Sequence, residues 1–167
     1  MEGNYCEARA KKRKTTSDVL IKLAIIAAVI ISVLAAFLFG QTLLLLVAVG
    51  FGIAAYFVFP RLNVEYEYVF CDGQIDFDKI MNGERRKHLV RIDMSEMAIC
   101  GPINSHSLDG YKREGVRKVD FSSREEDARV WGIVITKGEI KTLYLFEPSD
   151  EMIRRMKQKN SKAVVEY

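Results

Sequence analysis

The stretch LAIIAAVIISVLAAFLFGQTLLLLVAVGFGIAAYFVF, residues 23–59, runs uncharged between Lys22 and Arg61. One membrane-spanning helix needs about 20 apolar residues, so this run is far too long for one helix and close to what two need. Near its middle, Phe39-Gly40-Gln41-Thr42 gathers the polar and helix-weakening residues. The stretch therefore predicts two transmembrane helices, 18–39 and 42–59, joined by a tight turn. It divides the chain into a basic tail over 1–17, a helical hairpin over 18–61 and a cytoplasmic domain over 62–167.

Lys and Arg in short flanking segments tend to stay on the cytoplasmic side. Arg9, Lys11, Lys12, Arg13, Lys14 and Lys22 precede or open the first helix, Arg61 follows the second, and the Gly40-Gln41-Thr42 turn carries no charge. Both termini are expected in the cytoplasm, with the chain a two-pass protein of the cell membrane. A secretory signal also has a basic stretch before an apolar run, but no small-x-small cleavage site follows here and a second apolar segment begins at once. Pro60 is expected to end the second helix sharply. The first strand then starts near Val64, which leaves no flexible linker and keeps the domain close to the headgroups.

Small residues recur at four-residue spacing: Ala24, Ala28, Ser32 and Ala36 on the first helix, Ala48 and Gly52 on the second. Inside lipid such stripes let helices approach closely, so Ala28, Ser32, Ala36, Ala48 and Gly52 are the expected packing positions, within one hairpin or between copies. Nothing ionisable lies between Lys22 and Arg61. A transport pathway usually needs such groups, which argues against a channel or transporter built from this chain alone.

After Asn63 the hydrophobic period becomes two. Val64, Tyr66, Tyr68 and Phe70 alternate with Glu65 and Glu67, the pattern of a strand with one buried face. Asp72-Gly73 and Asn82-Gly83 are hairpin turns whose residues tolerate positive φ. Further strands are read over 74–80, 85–92, 94–100, 116–121, 129–136 and 140–146, with a loop over 101–115. Pro148-Ser149-Asp150-Glu151 then opens a C-terminal helix over 149–160, with Ser149 as N-cap and Met152, Ile153 and Met156 as its apolar stripe.

Seven antiparallel strands closed by one helix resemble the pleckstrin-homology-like (PH-like) barrel. The whole chain resembles a family of bacterial membrane proteins, a domain of unknown function, that joins a two-helix hairpin to such a domain. The residues that carry this likeness are Glu65-Tyr66-Glu67-Tyr68, Asp76-Phe77-Asp78-Lys79-Ile80, Arg85-Arg86-Lys87 and Phe146-Glu147-Pro148-Ser149. The resemblance implies an α+β fold and brings no catalytic residues with it.

The chain carries a formal net charge of +3, but from Leu62 onward 18 Lys/Arg face 19 Asp/Glu. A near-neutral domain lacks the basic footprint of a nucleic-acid binder. Two local basic clusters stand out as candidate lipid contacts: Arg85, Arg86 and Lys87 after the second turn, and Lys112, Arg113, Arg117 and Lys118 further on. The opposing reading is a solvated strand face offset by Glu84, Glu114 and Asp120. Asp72, Asp76 and Asp78 lack the ligand spacing of a calcium loop. Cys71, His88, Cys100 and His106 lack the paired spacing of a zinc site. The odd cysteine count and cytoplasmic placement favour free thiols for Cys6, Cys71 and Cys100. No nucleophile elbow surrounds Ser105-His106-Ser107. The expectation is a non-enzymatic, membrane-anchored interaction or scaffold module without a cofactor or metal, whose partners are membrane lipid and a protein or a second copy. A protein that contacts anionic lipid in the envelope is the alternative, and a small membrane-bound enzyme a third reading.

Overall fold

Alternation of small and charged side chains makes a strand where the sequence reads as a tail. The structure, a computed structural model, describes residues 5–113 and 115–165. Its first element is strand β1 (Tyr5–Lys11), which turns Cys6, Ala8 and Ala10 inward and Glu7, Arg9 and Lys11 outward. Helices α1 (Thr16–Phe39) and α2 (Leu43–Leu62) follow. Then come β2 (Val64–Cys71), β3 (Gln74–Met81), β4 (Arg85–Asp93) and β5 (Met97–Pro102). A 3₁₀ turn (His106–Tyr111) leads to β6 (Arg117–Asp120), β7 (Trp131–Lys137), β8 (Ile140–Phe146) and helix α3 (Asp150–Lys159).

The strands form two four-stranded sheets, β1-β2-β3-β4 and β5-β7-β8-β6, with α3 at the C-terminal end of the chain. This corrects the expected seven-stranded antiparallel barrel in two ways. Among the described residues there are eight strands, because β1 pairs with β2 along its whole length, from Tyr5↔Cys71 to Lys11↔Glu65. Strand β6 runs parallel to β8, and among the described residues no ladder joins the two sheets into a closed barrel. The seven strands read from the sequence are all present. The fourth of them, now β5, starts at Met97 rather than 94, because Asp93 Oδ1 accepts hydrogen bonds from both the Ser95 N–H (2.8 Å) and its hydroxyl (2.6 Å), which closes a turn there. Asp72-Gly73 and Asn82-Gly83 have positive φ at both residues, as the two hairpin turns require.

Between the sheets lies one aromatic and aliphatic core. Tyr68, Phe70, Ile75 and Phe77 face Trp131, Ile133, Ile135 and Phe146, and Met152 and Met156 of α3 pack against both sets. The Tyr68 hydroxyl donates to the Phe121 carbonyl at 2.5 Å, and burial pushes its proton affinity up, so it stays a neutral donor. Helix α3 begins as expected, with the Ser149 hydroxyl accepting from the Met152 N–H at 3.2 Å.

The topological consequence of β1 is that α1 and α2 are inserted between two paired strands. The hairpin leaves the sheet after Lys11 and returns at Val64, so both helices stand on the same end of one sheet. Helix α1 starts earlier than expected, because the Thr15 N–H donates to Asp18 Oδ2 (2.9 Å) and caps it. Helix α2 does not stop at Pro60 but runs to Leu62. Proline removes one ladder bond, yet its fixed φ suits a helix, and with only two residues left the loss is absorbed. Both helices are long and apolar enough to cross a membrane, and only 6% of each apolar window is buried inside the protein.

Candidate functional site

The base of the hairpin is where the elements converge, and backbone hydrogen bonds tie this joint to the β domain. On the α1 side, the Lys12 N–H donates to the Val64 carbonyl (3.0 Å) and the Arg13 N–H to the Ser123 carbonyl (2.8 Å). On the α2 side, the Asn82 N–H donates to the Asn63 carbonyl (2.8 Å), and Arg85 donates to the Tyr56 hydroxyl (2.7 Å) while lying over its ring (5.4 Å). The Lys22 ammonium lies 5.9 Å from the Phe59 ring centroid, a cation–π contact between α1 and α2.

The loop after β6 holds the α1 side. Asp120 Oδ1 accepts from the Ser122 N–H (2.9 Å) and hydroxyl (2.6 Å), Oδ2 accepts from Arg124 (2.8 Å), and the Ser123 N–H donates to Glu147 (2.5 Å). Burial alone raises the Asp120 pKa, but the Ser122 and Arg124 donors outweigh it and hold the carboxyl below its ordinary value of 3.8. A depressed folded-state value means that the ionised form is the stabilising one. Its contribution is complete above the ordinary carboxylate range and is lost as pH falls through the folded value. Asp120→Asn is expected to cost about 1–2 kcal/mol at neutral pH, from weakened charge-assisted hydrogen bonds. The gap to wild type, read from thermal midpoints across a pH series, should close in acid. A gap that stays constant down to acid pH would refute this assignment.

Among the described residues, three cavities lie at the joint. One, of about 440 Å³, lies between α2 and the β3–β4 hairpin, with Phe57, Pro60, Arg61, Lys79 and Lys87 in its wall. A second, of about 400 Å³, is lined by Gly52, Tyr56, Phe59, Asn82 and Arg85. A third, of about 330 Å³, lies by the start of α1 between Lys12, Arg13, Lys14 and Arg124. The first two open beside α2 and the third beside α1, and basic side chains line all three.

The structure separates the residues of the first basic cluster. Arg85 and Lys87 belong to the joint. Arg86 instead points to the outer face of the first sheet, where it contacts Glu67 and lies 3.8 Å from Asp78. That face is a set of opposed charges: Lys11–Glu65 (3.3 Å), Arg9–Glu67 (2.8 Å), His88–Asp78 (2.9 Å) and Arg91–Asp76 (2.6 Å). Glu67, expected on a solvated face, is only 1% exposed because Arg9 and Arg86 fold over it. Its oxygens meet the guanidinium groups as ion contacts without hydrogen-bond alignment.

The second basic cluster lies on edge strand β6 and the loop before it. Lys112 pairs with Asp109 (2.7 Å), Lys118 donates to the Lys112 carbonyl (2.5 Å), and Arg113 and Arg117 are exposed. Glu114, read as an offsetting charge, lies outside the described residues. Along the hairpin, Ala36 and Ala48 are buried, Ala28 and Ser32 half-buried, and Gly52 exposed in the wall of the second cavity. Of the thiols, Cys6 and Cys100 are buried and Cys71 is exposed, and all three are free. His106 hydrogen-bonds Asp109 (3.1 Å), and the Ser105 hydroxyl accepts from the Ser107 N–H (3.3 Å). Among the described residues, no group of three His, Cys, Asp or Glu side chains is placed to hold a metal ion.

Lys79 enters the sequence reading only within the run Asp76-Phe77-Asp78-Lys79-Ile80, not as a candidate contact. The two-residue turn at Asp72-Gly73 sets Cys71 opposite Gln74, and counting along the ladder sets Tyr66 opposite Lys79 on the inward face. That register was the available signal.

A family model described as "Bacterial PH-like domain (DUF6106)" matches residues 2–166 of the chain. No curated protein and no solved structure matches it.

Proposed function

We propose, from the chain's membership of this bacterial PH-like domain family, that it is a non-enzymatic interaction module anchored in the membrane by α1 and α2. The two helices cross the bilayer, the turn at Gly40 reaches the far side, and both chain ends stay in the cytoplasm. The observation that carries this reading is the hairpin's surface. Leu20, Leu23, Ile30, Leu34, Phe37, Leu46 and Phe57 are among many large apolar side chains left exposed along it. In water that area would be costly, at roughly 25 cal/mol per Å². A core helix of a soluble protein would be mostly covered. A cleaved signal is also a poor fit, since cleavage after α1 would remove β1 from the sheet it completes.

An interaction role is favoured over catalysis by where the titratable groups lie. On the outer sheet face acids and bases neutralise one another across strands, and the cleft between α2 and the β3–β4 hairpin gathers Arg61, Lys79, Arg85 and Lys87 without the acid partner that a catalytic constellation pairs with such bases. Anchoring raises the domain's effective concentration at the membrane for any protein it meets there. The hydrogen-bonded joint keeps the domain next to the membrane-facing ends of α1 and α2.

Thiol labelling tests the placement. In sealed cells an impermeant maleimide is expected to leave the chain unlabelled, and permeabilisation is expected to expose Cys71 while buried Cys6 and Cys100 stay protected. Labelling of Cys71 from outside intact cells would reverse the topology. Crosslinking of the full chain in native membranes should then capture a protein neighbour; capture of lipid alone would favour the lipid-contacting reading.

A further inference from the structure

We propose that the cleft between α2 and the β3–β4 hairpin is a binding site for the phosphate of one anionic glycerophospholipid. Arg61, Lys79 and Lys87 hold the phosphate, and Phe57, Pro60, Met81 and Leu89 face its glycerol and upper acyl chain. The proposal rests on the reading that α1 and α2 span a bilayer.

The charge at this cleft is unbalanced. Elsewhere on the first sheet, Arg9, Lys11, Arg86 and Arg91 each have a carboxylate within 4.0 Å. Among the described residues, Arg61, Lys79 and Lys87 have none, and neither does Lys12 nearby. Lys79 and Lys87 are moreover direct cross-strand partners. Like charges placed opposite each other destabilise a sheet, so this pair is unfavourable until an anion sits between them. Lys79 is half-buried, and its proton affinity is lowered by that burial and by Lys12, Lys87 and Arg61. Asp78, next to Lys79 in the chain, points to the outer sheet face, where it meets His88 (2.9 Å), and Glu84 lines the neighbouring cavity around Arg85.

The cleft is also two-sided in its chemistry, lined by basic and by apolar side chains. Its cations start at Arg61, where the uncharged part of α2 ends, which is the level of headgroup phosphates for a helix that spans the hydrocarbon. The apolar wall continues on Phe57 of the same helix. A freely soluble phosphate compound would have no use for that wall, whereas a lipid presents phosphate and hydrocarbon in this order. Basic pockets at the cytoplasmic ends of membrane helices are known to take anionic headgroups.

The test uses the full chain in a zwitterionic detergent, titrated separately with phosphatidylglycerol and phosphatidylcholine, with bound lipid counted by native mass spectrometry. One phosphatidylglycerol per chain should be retained in preference to phosphatidylcholine. Two close lysines contribute about 1 kcal/mol each, so the Lys79→Met/Lys87→Met chain should bind about 30-fold more weakly. Lys79→Arg/Lys87→Arg should keep the binding, and Lys112→Met/Lys118→Met should leave it unchanged. Circular dichroism of each variant separates lost binding from lost fold. Equal retention of the two lipids, or an equal loss in the Lys112/Lys118 variant, would overturn the site in favour of diffuse attraction. Displacement of phosphatidylglycerol by millimolar inorganic phosphate would overturn the lipid as ligand. A chain that stays dissolved without detergent would instead remove the membrane reading beneath it, a result the lipid counts do not imitate.

Discussion

Deletion of residues 5–11, with the hairpin and everything after it intact, is expected to unfold the β domain. A basic tail could be removed at no cost, but β1 is an edge strand whose every residue pairs with β2. Its loss would uncover Phe70 and Tyr68, which lie opposite Cys6 and Ala8, and remove the surface on which α3 packs. It would also take Arg9 from Glu67, leaving a buried carboxylate with Arg86 alone. Removing one partner of a buried pair costs about 3–5 kcal/mol. The Arg86 contact keeps this case below that range, but the lost ladder and core contacts add to it. Against a total stability of about 5–15 kcal/mol, the sum should be decisive. Limited proteolysis in detergent is the measurement: the truncated chain should be digested up to the hairpin, while the full chain resists. A truncated chain as resistant as the parent would show that β1 is dispensable.

Phe77→Ala should be the most damaging single substitution in the core. Phe77 is 1% exposed, and its ring centroid lies 5.1–6.3 Å from those of Phe121, Tyr68, Phe146 and Tyr144, so it joins the two sheets. Aromatic-to-alanine changes at such sites cost about 3–5 kcal/mol, through lost transfer energy and a cavity the neighbours cannot fill. Phe77→Leu, which keeps most of the volume, should cost roughly 1–2 kcal/mol. Denaturant titration of the full chain in detergent reads both. A loss under about 1 kcal/mol for the alanine variant would mean that the rings repack and that the core is less specific than its geometry implies.

The extra strand shows why some of the fold was illegible. Cys6, Ala8 and Ala10 do alternate with charged neighbours, but small side chains give a weak period-two signal, and the adjoining run Lys11-Lys12-Arg13-Lys14 reads as solvated charge. Only the presence of β2 makes a strand of this segment. Glu67 is a similar case. Its place on the outward face followed from alternation, whereas its burial depends on two arginines from β1 and β4, which are distant in the chain. The candidate site was half visible. Arg85 and Lys87 stood out as a basic run with Arg86; alternation sends Arg86 to the opposite face, but which of the two faces meets α2 is set by the tertiary structure.

By itself the sequence determined what depends on neighbours along the chain: two apolar helices with a glycine turn, the two hairpin turns with positive φ, seven strands by their alternation and the capped C-terminal helix. Hydrophobic period and turn chemistry act over a few residues, so they can be read without knowing the partner. Tertiary structure alone decided that the helices are an insertion between β1 and β2, that the sheets stay open with β6 parallel to β8, and that Arg61, Lys79 and Lys87 share one cleft. Those outcomes depend on contacts between segments far apart in sequence, where charge, burial and register are set jointly by residues that no local pattern connects.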